Sequence, residues 1–137
     1  MLDTLTRAAK SGIEVCIIMP HIPDKWYAFA VAKTYYRELI EAGVNIYEFT
    51  PGFVHAKVFV SDDDTATVGS INLDYRSLYL HFECGVWMYQ SQAVREAKED
   101  MEATLPKCKE VSLDFCNKRN IFVRGIQSIM RLIAPLL

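Results

Sequence analysis

The sequence predicts an α/β fold, a mixed β-sheet flanked by helices and followed by a C-terminal amphipathic helical tail. Three observations predict it. The runs IEVCIIM (Ile13–Met19) and VNIYEF (Val44–Phe49) are short, apolar and β-branched, as strands are. Between them lies a segment of helical length with one apolar and one charged side. The alternation then continues through further strand-like runs to a second helical segment, the succession expected of a sheet layered with helices.

Taken in order, Leu2 to Lys10 has helical composition and stops at Ser11-Gly12. It reads as the tail of a helix begun earlier in a longer protein. Ile13–Met19, nearly all apolar, reads as a buried central strand, ended by Pro20. Asp24 can cap a helix that runs to Ala42, with Gly43 as its stop. Trp26, Phe29, Ala30, Leu39 and Ile40 form its apolar side, and Lys33, Arg37, Glu38 and Glu41 its wet one. Val44–Phe49 is the next strand and Gly52–Ser61 the one after. Asp62-Asp63-Asp64 is a turn in which Asp63 and Asp64 read as solvated, and Thr65–Val68 pairs back as a hairpin arm. Gly69–Ser77 is a polar loop, Phe82–Tyr89 a strand and Gln92–Leu105 a helix. In the tail, Arg124, Gln127, Ser128 and Arg131 recur at helical spacing, so Ile121–Leu137 reads as a helix with a wide apolar face. Three roles suit it: docking on the protein's own core, lying in a membrane interface, or an oligomer contact.

The 137 residues are one domain's worth of chain, and 51% of them are hydrophobic, enough for a core. Net charge is only −2, so no global field points to nucleic acid or membrane. The distribution is uneven. From Leu105 onward six basic residues face Glu110 and Asp114, a net of +4 on a body of −6. The organisation expected is a half-domain over residues 1–105 and a basic tail over 106–137. Cys16, Cys84, Cys108 and Cys116 form no C-x-x-C pair and match no zinc spacing. Cys16 and Cys84, in apolar runs, read as small buried hydrophobes, and a reducing, cytoplasm-facing location fits. No signal peptide or transmembrane run is expected.

The chemistry concentrates in Gly52–Glu83, GFVHAKVFVSDDDTATVGSINLDYRSLYLHFE. On a strand, His55 and Lys57 share one face, and Val54, Ala56, Val58 and Val60 form the other. An imidazole beside an ammonium suits a phosphate. The lysine can neutralise non-bridging oxygens, and the histidine can attack phosphorus or move a proton. Asn72 can donate its amide N–H to a phosphoryl oxygen. Ser70 and the backbone at Gly69 can add donors, or simply make a turn.

The spacing His55, Lys57, Asp62, Gly69, Ser70, Asn72 resembles the phospholipase D superfamily, marked by H-x-K-x4-D with a Gly-Ser and an Asn downstream. The string GSINLDYRS, Glu83 in HFE and the flanking ELIEAGVNIYEF look most like the C-terminal half of a bacterial cardiolipin synthase. The resemblance covers roughly residues 12 to 137. It implies a phospholipase D-like half-domain and phosphatidyl transfer between two phosphatidylglycerol molecules through a phosphohistidine, releasing glycerol, with no metal or other cofactor. Such sites use two facing motifs, and this chain has one. The resemblance therefore implies a partner: a missing N-terminal half or a second copy of the chain. His55 is then the acid/base partner of an opposing nucleophile, and Lys57 the phosphoryl ligand. Glu83 matches the downstream acid that hydrogen-bonds a catalytic histidine, its own or the opposing one. Asp62 is expected to hold its loop. Arg76 binds a lipid phosphate or pairs with Asp74. His21 and His81, outside any such motif, read as structural or rim residues.

Phospholipid and the membrane surface are thus the expected partners, at the cytoplasmic side of a bacterial inner membrane, peripherally bound. Nucleic acid is disfavoured, because an acidic body offers no basic groove. Two alternatives stand beside this reading: a phospholipase D or dimeric nuclease of the same superfamily, and a non-catalytic half-domain for membrane docking or assembly.

Overall fold

The structure, a computed structural model, describes residues 1–117, 125 and 129–131. Helix α1 (Leu2–Lys10) and helix α2 (Trp26–Glu41) close alike. Gly43 takes φ +97°, the Gly43 N–H bonds the Ile40 carbonyl, and the Val44 N–H reaches back to Leu39, each at 3.0 Å. This paired closure satisfies carbonyls left free at a helix end and needs a left-handed residue, which glycine supplies. Helix α2 starts later than expected. Lys25 is still extended and no side chain caps the helix, so Asp24 lies one residue too early to do so.

Strand β1 (Cys16–Pro20) runs parallel to β2 (Asn45–Phe49), with Cys16 opposite Asn45 and Pro20 opposite Phe49; α2 is the crossover between them. Strand β6 (Cys108–Glu110), within the segment assigned to the tail, pairs antiparallel on the other side of β2. The centre of this mixed sheet is therefore β2, and β1 is an outer strand. The apolar run at Ile13–Met19 was expected to be central. An apolar run signals burial on both faces but not position in a sheet, and here β1 is only half-buried beyond Cys16. The core lies between this sheet and the helices: Tyr36, Leu39, Val44, Ile46 and Val111, flanked by Leu2, Leu5, Ile17 and Met19.

The second sheet is an antiparallel meander of β3 (Val58–Ser61), β4 (Thr65–Gly69) and β5 (Gly85–Tyr89). Its first turn uses two aspartates at positive φ, Asp62 at +51° and Asp63 at +61°, a region that Asp tolerates better than most residues. The turn is not merely solvated. Asp63 pairs with Lys98 of α4 (Gln92–Thr104) at 2.5 Å, and the Asp64 carboxylate accepts the Thr65 hydroxyl at 2.8 Å. Helix α4 lies across this sheet, burying Val94 and Ala66 completely. The fold is thus mixed α/β with helices flanking two small sheets rather than one continuous sheet.

Two further expectations are corrected. Cys16 and Cys84 are exposed, because one opens an outer strand and the other precedes β5. Trp26 is 73% exposed, and Lys33, expected in solvent, is drawn inward to the buried Glu48. The tail helix expected at Ile121–Leu137 lies largely outside the described residues. Of it, Arg131 donates from Nε to Thr34 Oγ1 at 2.9 Å and from Nη2 to the Thr34 carbonyl at 3.0 Å. Its guanidinium also sits 4.1 Å from the Tyr35 ring centroid, so this arginine is held on α2. Among the described residues no helix is long and apolar enough to cross a membrane.

Candidate active site

The chain enters the site from the end of β2. Regular pairing begins at Val58, so His55 and Lys57 precede β3 rather than sit within it. The expected strand over Gly52–Ser61 is shortened because its partner β4 ends at Gly69. The last link is the Gly69 N–H donating to the Lys57 carbonyl at 3.2 Å. Ala56, expected on an apolar face, is exposed. Local contacts hold the segment instead. The His55 ring stacks on Phe53, with centroids 5.6 Å apart and planes 19° apart. Lys57 turns back on the same segment, donating from Nζ to the His55 carbonyl at 3.0 Å.

Gly69 is fixed by close backbone approach. A Cβ there would lie 2.6 Å from the Gly85 Cα, so the β4–β5 pair closes only around a residue without a side chain. The next residue, Ser70, pairs by backbone and side chain with Cys84: its N–H donates to the Cys84 carbonyl at 2.9 Å, and its Oγ accepts from the Cys84 N–H at 3.1 Å. The Ser70 hydroxyl donates to Glu83, and the buried Ser77 hydroxyl donates to the other Glu83 oxygen at 2.5 Å. These two hydroxyls hold the Glu83 carboxyl below its ordinary range, with smaller help from the charges of His81 and Lys57. Ser77 also accepts from the Asn72 N–H at 2.9 Å. One connected set therefore ties Lys57, Gly69, Ser70, Asn72, Ser77 and Glu83.

Within the expected loop a short helix, α3 (Tyr75–Tyr79), forms because the Asp74 carboxylate caps it, accepting from the Ser77 N–H at 2.7 Å. Asp74 is thereby committed to the cap. Arg76 instead donates from Nε to His81 Nε2 at 2.7 Å. Asp62 stands apart from the set. Strand β3 separates it from Lys57 by about 16 Å of extended chain, and its carboxylate accepts the Ser61 hydroxyl at 3.0 Å. In this chain Glu83 meets serines rather than a histidine. Sequence reasoning missed Ser77; the pattern Asp74-x-x-Ser77, a capping residue three before a serine, was the available signal.

Comparison with known proteins follows the same lines. The family described as "Cardiolipin synthase, PLD-like domain" matches residues 1–105. Over all 137 residues the chain is 52% identical to an uncharacterized protein of Streptococcus mutans. It is 39% identical to cardiolipin synthase 2 of Bacillus anthracis and 37% to cardiolipin synthase of Alkalihalophilus pseudofirmus. It spans 30% of the length of the first of these relatives and 27% of the other two. The fold is like that of Nuc from Salmonella typhimurium, a phospholipase D family member, with a TM-score of 0.67 and 20% identity over 80% of this chain and 72% of that one.

Proposed function

This chain belongs to the cardiolipin synthase, phospholipase D-like domain family, and from that premise we propose that it supplies one half of a phosphatidyl-transfer site. The observation that carries the reading is the joining of the His55–Lys57 segment, through Lys57 and Gly69, to the Ser70–Glu83–Ser77 set. Lys57 offers positive charge to the non-bridging phosphoryl oxygens, and His55 acts as the acid/base.

In the proposed cycle, a histidine from the rest of the protein or from a second copy attacks the phosphorus of phosphatidylglycerol. The bond from phosphorus to the glycerol oxygen breaks, His55 gives that oxygen its proton, and glycerol leaves. His55 then takes the proton from a hydroxyl of a second phosphatidylglycerol. That oxygen attacks phosphorus, the phosphorus–nitrogen bond breaks, and the product is cardiolipin. Ser70 and Asn72 frame the phosphate, Glu83 fixes local geometry, Arg76 contacts headgroup phosphate, and Asp62 braces the far end of β3. Because the chain spans under a third of its relatives' length, transfer is assigned to the longer assembly, peripherally bound at the cytoplasmic side of the inner membrane.

The test supplies phosphatidylglycerol vesicles to the assembled protein and measures cardiolipin. His55→Ala is expected to lower the rate by a factor on the order of 10³. Turnover close to that of the unaltered protein would remove His55 from the mechanism.

A further inference from the structure

A second set of titratable side chains lies outside the Gly52–Glu83 stretch. Glu48 is in phase with Ile46 on β2, and with Val44 just before it, and faces the core, only 4% exposed. A carboxylate there costs several kcal/mol to desolvate unless it is well partnered. Its partners are His21, with Nδ1 2.8 Å from Oε2, and Lys33, with Nζ 3.0 Å from Oε1. Burial pushes the carboxyl up, but the hydrogen bond with His21 and the ion pair with Lys33 outweigh it and hold the Glu48 carboxyl below its ordinary range. Lys33 is mostly buried and also lies 4.2 Å from the Phe29 ring centroid. The His21 side chain, by contrast, is 51% exposed.

The arrangement orients His21. With Nδ1–H directed at a buried carboxylate, the tautomer is fixed and Nε2 is left as the working nitrogen. The backbone is fixed too, since the His21 N–H donates to the Phe49 carbonyl at 3.1 Å. Lys33 and Glu48 cancel in charge, so a proton on Nε2 gives the group a net positive charge at the surface. Its place in the fold also matters. β1 and β2 are parallel, so the loop carrying His21 and the segment carrying His55 leave the same, C-terminal, end of the pair. Ligands gather at that end of parallel strands.

We propose that His21, oriented by Glu48 and Lys33, is a binding site for a second phosphodiester, that of the acceptor alcohol. The proposal rests on the transfer reading above: if the acceptor is itself a phosphatidylglycerol, it brings a phosphate that is not transferred and that needs its own counter-charge. Protonated Nε2 donates one charge-assisted hydrogen bond to it. A small neutral acceptor has no use for this site.

Side-chain nitrogen NMR of the 137-residue chain provides the first test, with glycerophosphoglycerol, inorganic phosphate and glycerol as probes. Glycerophosphoglycerol is expected to move the His21 Nε2 resonance toward the protonated form, and glycerol to leave it unmoved. Movement with inorganic phosphate alone would assign a free-phosphate site and overturn the acceptor role. No movement with either anion overturns the site, and a response at His55 in the same spectra would leave the transfer reading standing. In the assembled enzyme, His21→Gln is expected to lower transfer to phosphatidylglycerol roughly tenfold or more, while transfer to ethanol stays unchanged. Equal loss with both acceptors would also overturn the proposal. An unaltered enzyme that transfers to neither acceptor would instead refute the transfer reading.

Discussion

Ser77 donates its hydroxyl to Glu83 at 2.5 Å while accepting the Asn72 N–H at 2.9 Å, so one buried serine joins the downstream acid to the asparagine of the motif. Ser70 completes the grip on Glu83 from the other side. Removing either hydroxyl should let the Glu83 carboxyl rise toward its ordinary value of 4.5, with Ser70→Ala the larger effect because Ser70 is the stronger cause. Carboxyl carbon shifts followed against pH would read both variants. An unmoved Glu83 titration in Ser70→Ala would show that the hydroxyls do not hold it.

Acid should weaken the fold through Glu48. Its folded-state pKa lies below 4.5, so the unfolded chain binds a proton that the native state does not. The resulting stability is fully present above pH 4.5 and is lost as pH falls through the folded value. Lys33→Met leaves the buried carboxylate with His21 alone and should cost about 3 kcal/mol. It should also move the acid transition to higher pH. Urea midpoints measured across that range check both statements.

Gly69 and Gly52 should respond unequally to alanine. At Gly69 the added carbon meets the β5 backbone, which cannot swing aside as a side-chain tip can. Gly69→Ala should therefore lose about 3 kcal/mol. At Gly52 nothing lies within 4 Å and the backbone is not at positive φ, so Gly52→Ala should melt near the unaltered chain. Calorimetry on the pair makes the comparison.

Arg131→Ala should release a side chain of the tail that reaches Thr34, Tyr35 and Glu38. One charged hydrogen-bonding group over an aromatic ring is worth about 1–2 kcal/mol. Faster amide exchange along α2 would report the loss, and unchanged exchange there would argue against this contact in solution.

Much of this was legible from residues. The Asp62–Asp64 turn, the hairpin arm from Thr65, the Gly43 stop and the helix at Gln92 follow from local chemistry, and the structure has them all. The order of strands was not legible, because an apolar run such as Ile13–Met19 does not reveal whether it lies at the centre or the edge. Neither was β6, whose three residues Cys-Lys-Glu carry no alternation and become a strand only by lying beside β2. At the candidate site His55, Lys57, Ser70, Asn72 and Glu83 stood out by spacing. Ser77 and Glu48 did not, since a serine in a polar loop and a glutamate in a strand become meaningful only when burial and partners are known.

On the proposed transfer reading, in which Lys57 is the phosphoryl ligand, its bond to the His55 carbonyl sets how an anion is received. The ammonium is parked on its own backbone, so an arriving phosphoryl oxygen does not find a wandering charge. It displaces one acceptor with another, an exchange in which the lysine gives up little order. The displaced carbonyl belongs to the histidine, so capture of the anion by Lys57 frees the peptide behind His55. Charge recognition and the last small adjustment of the proposed acid/base residue then become a single event.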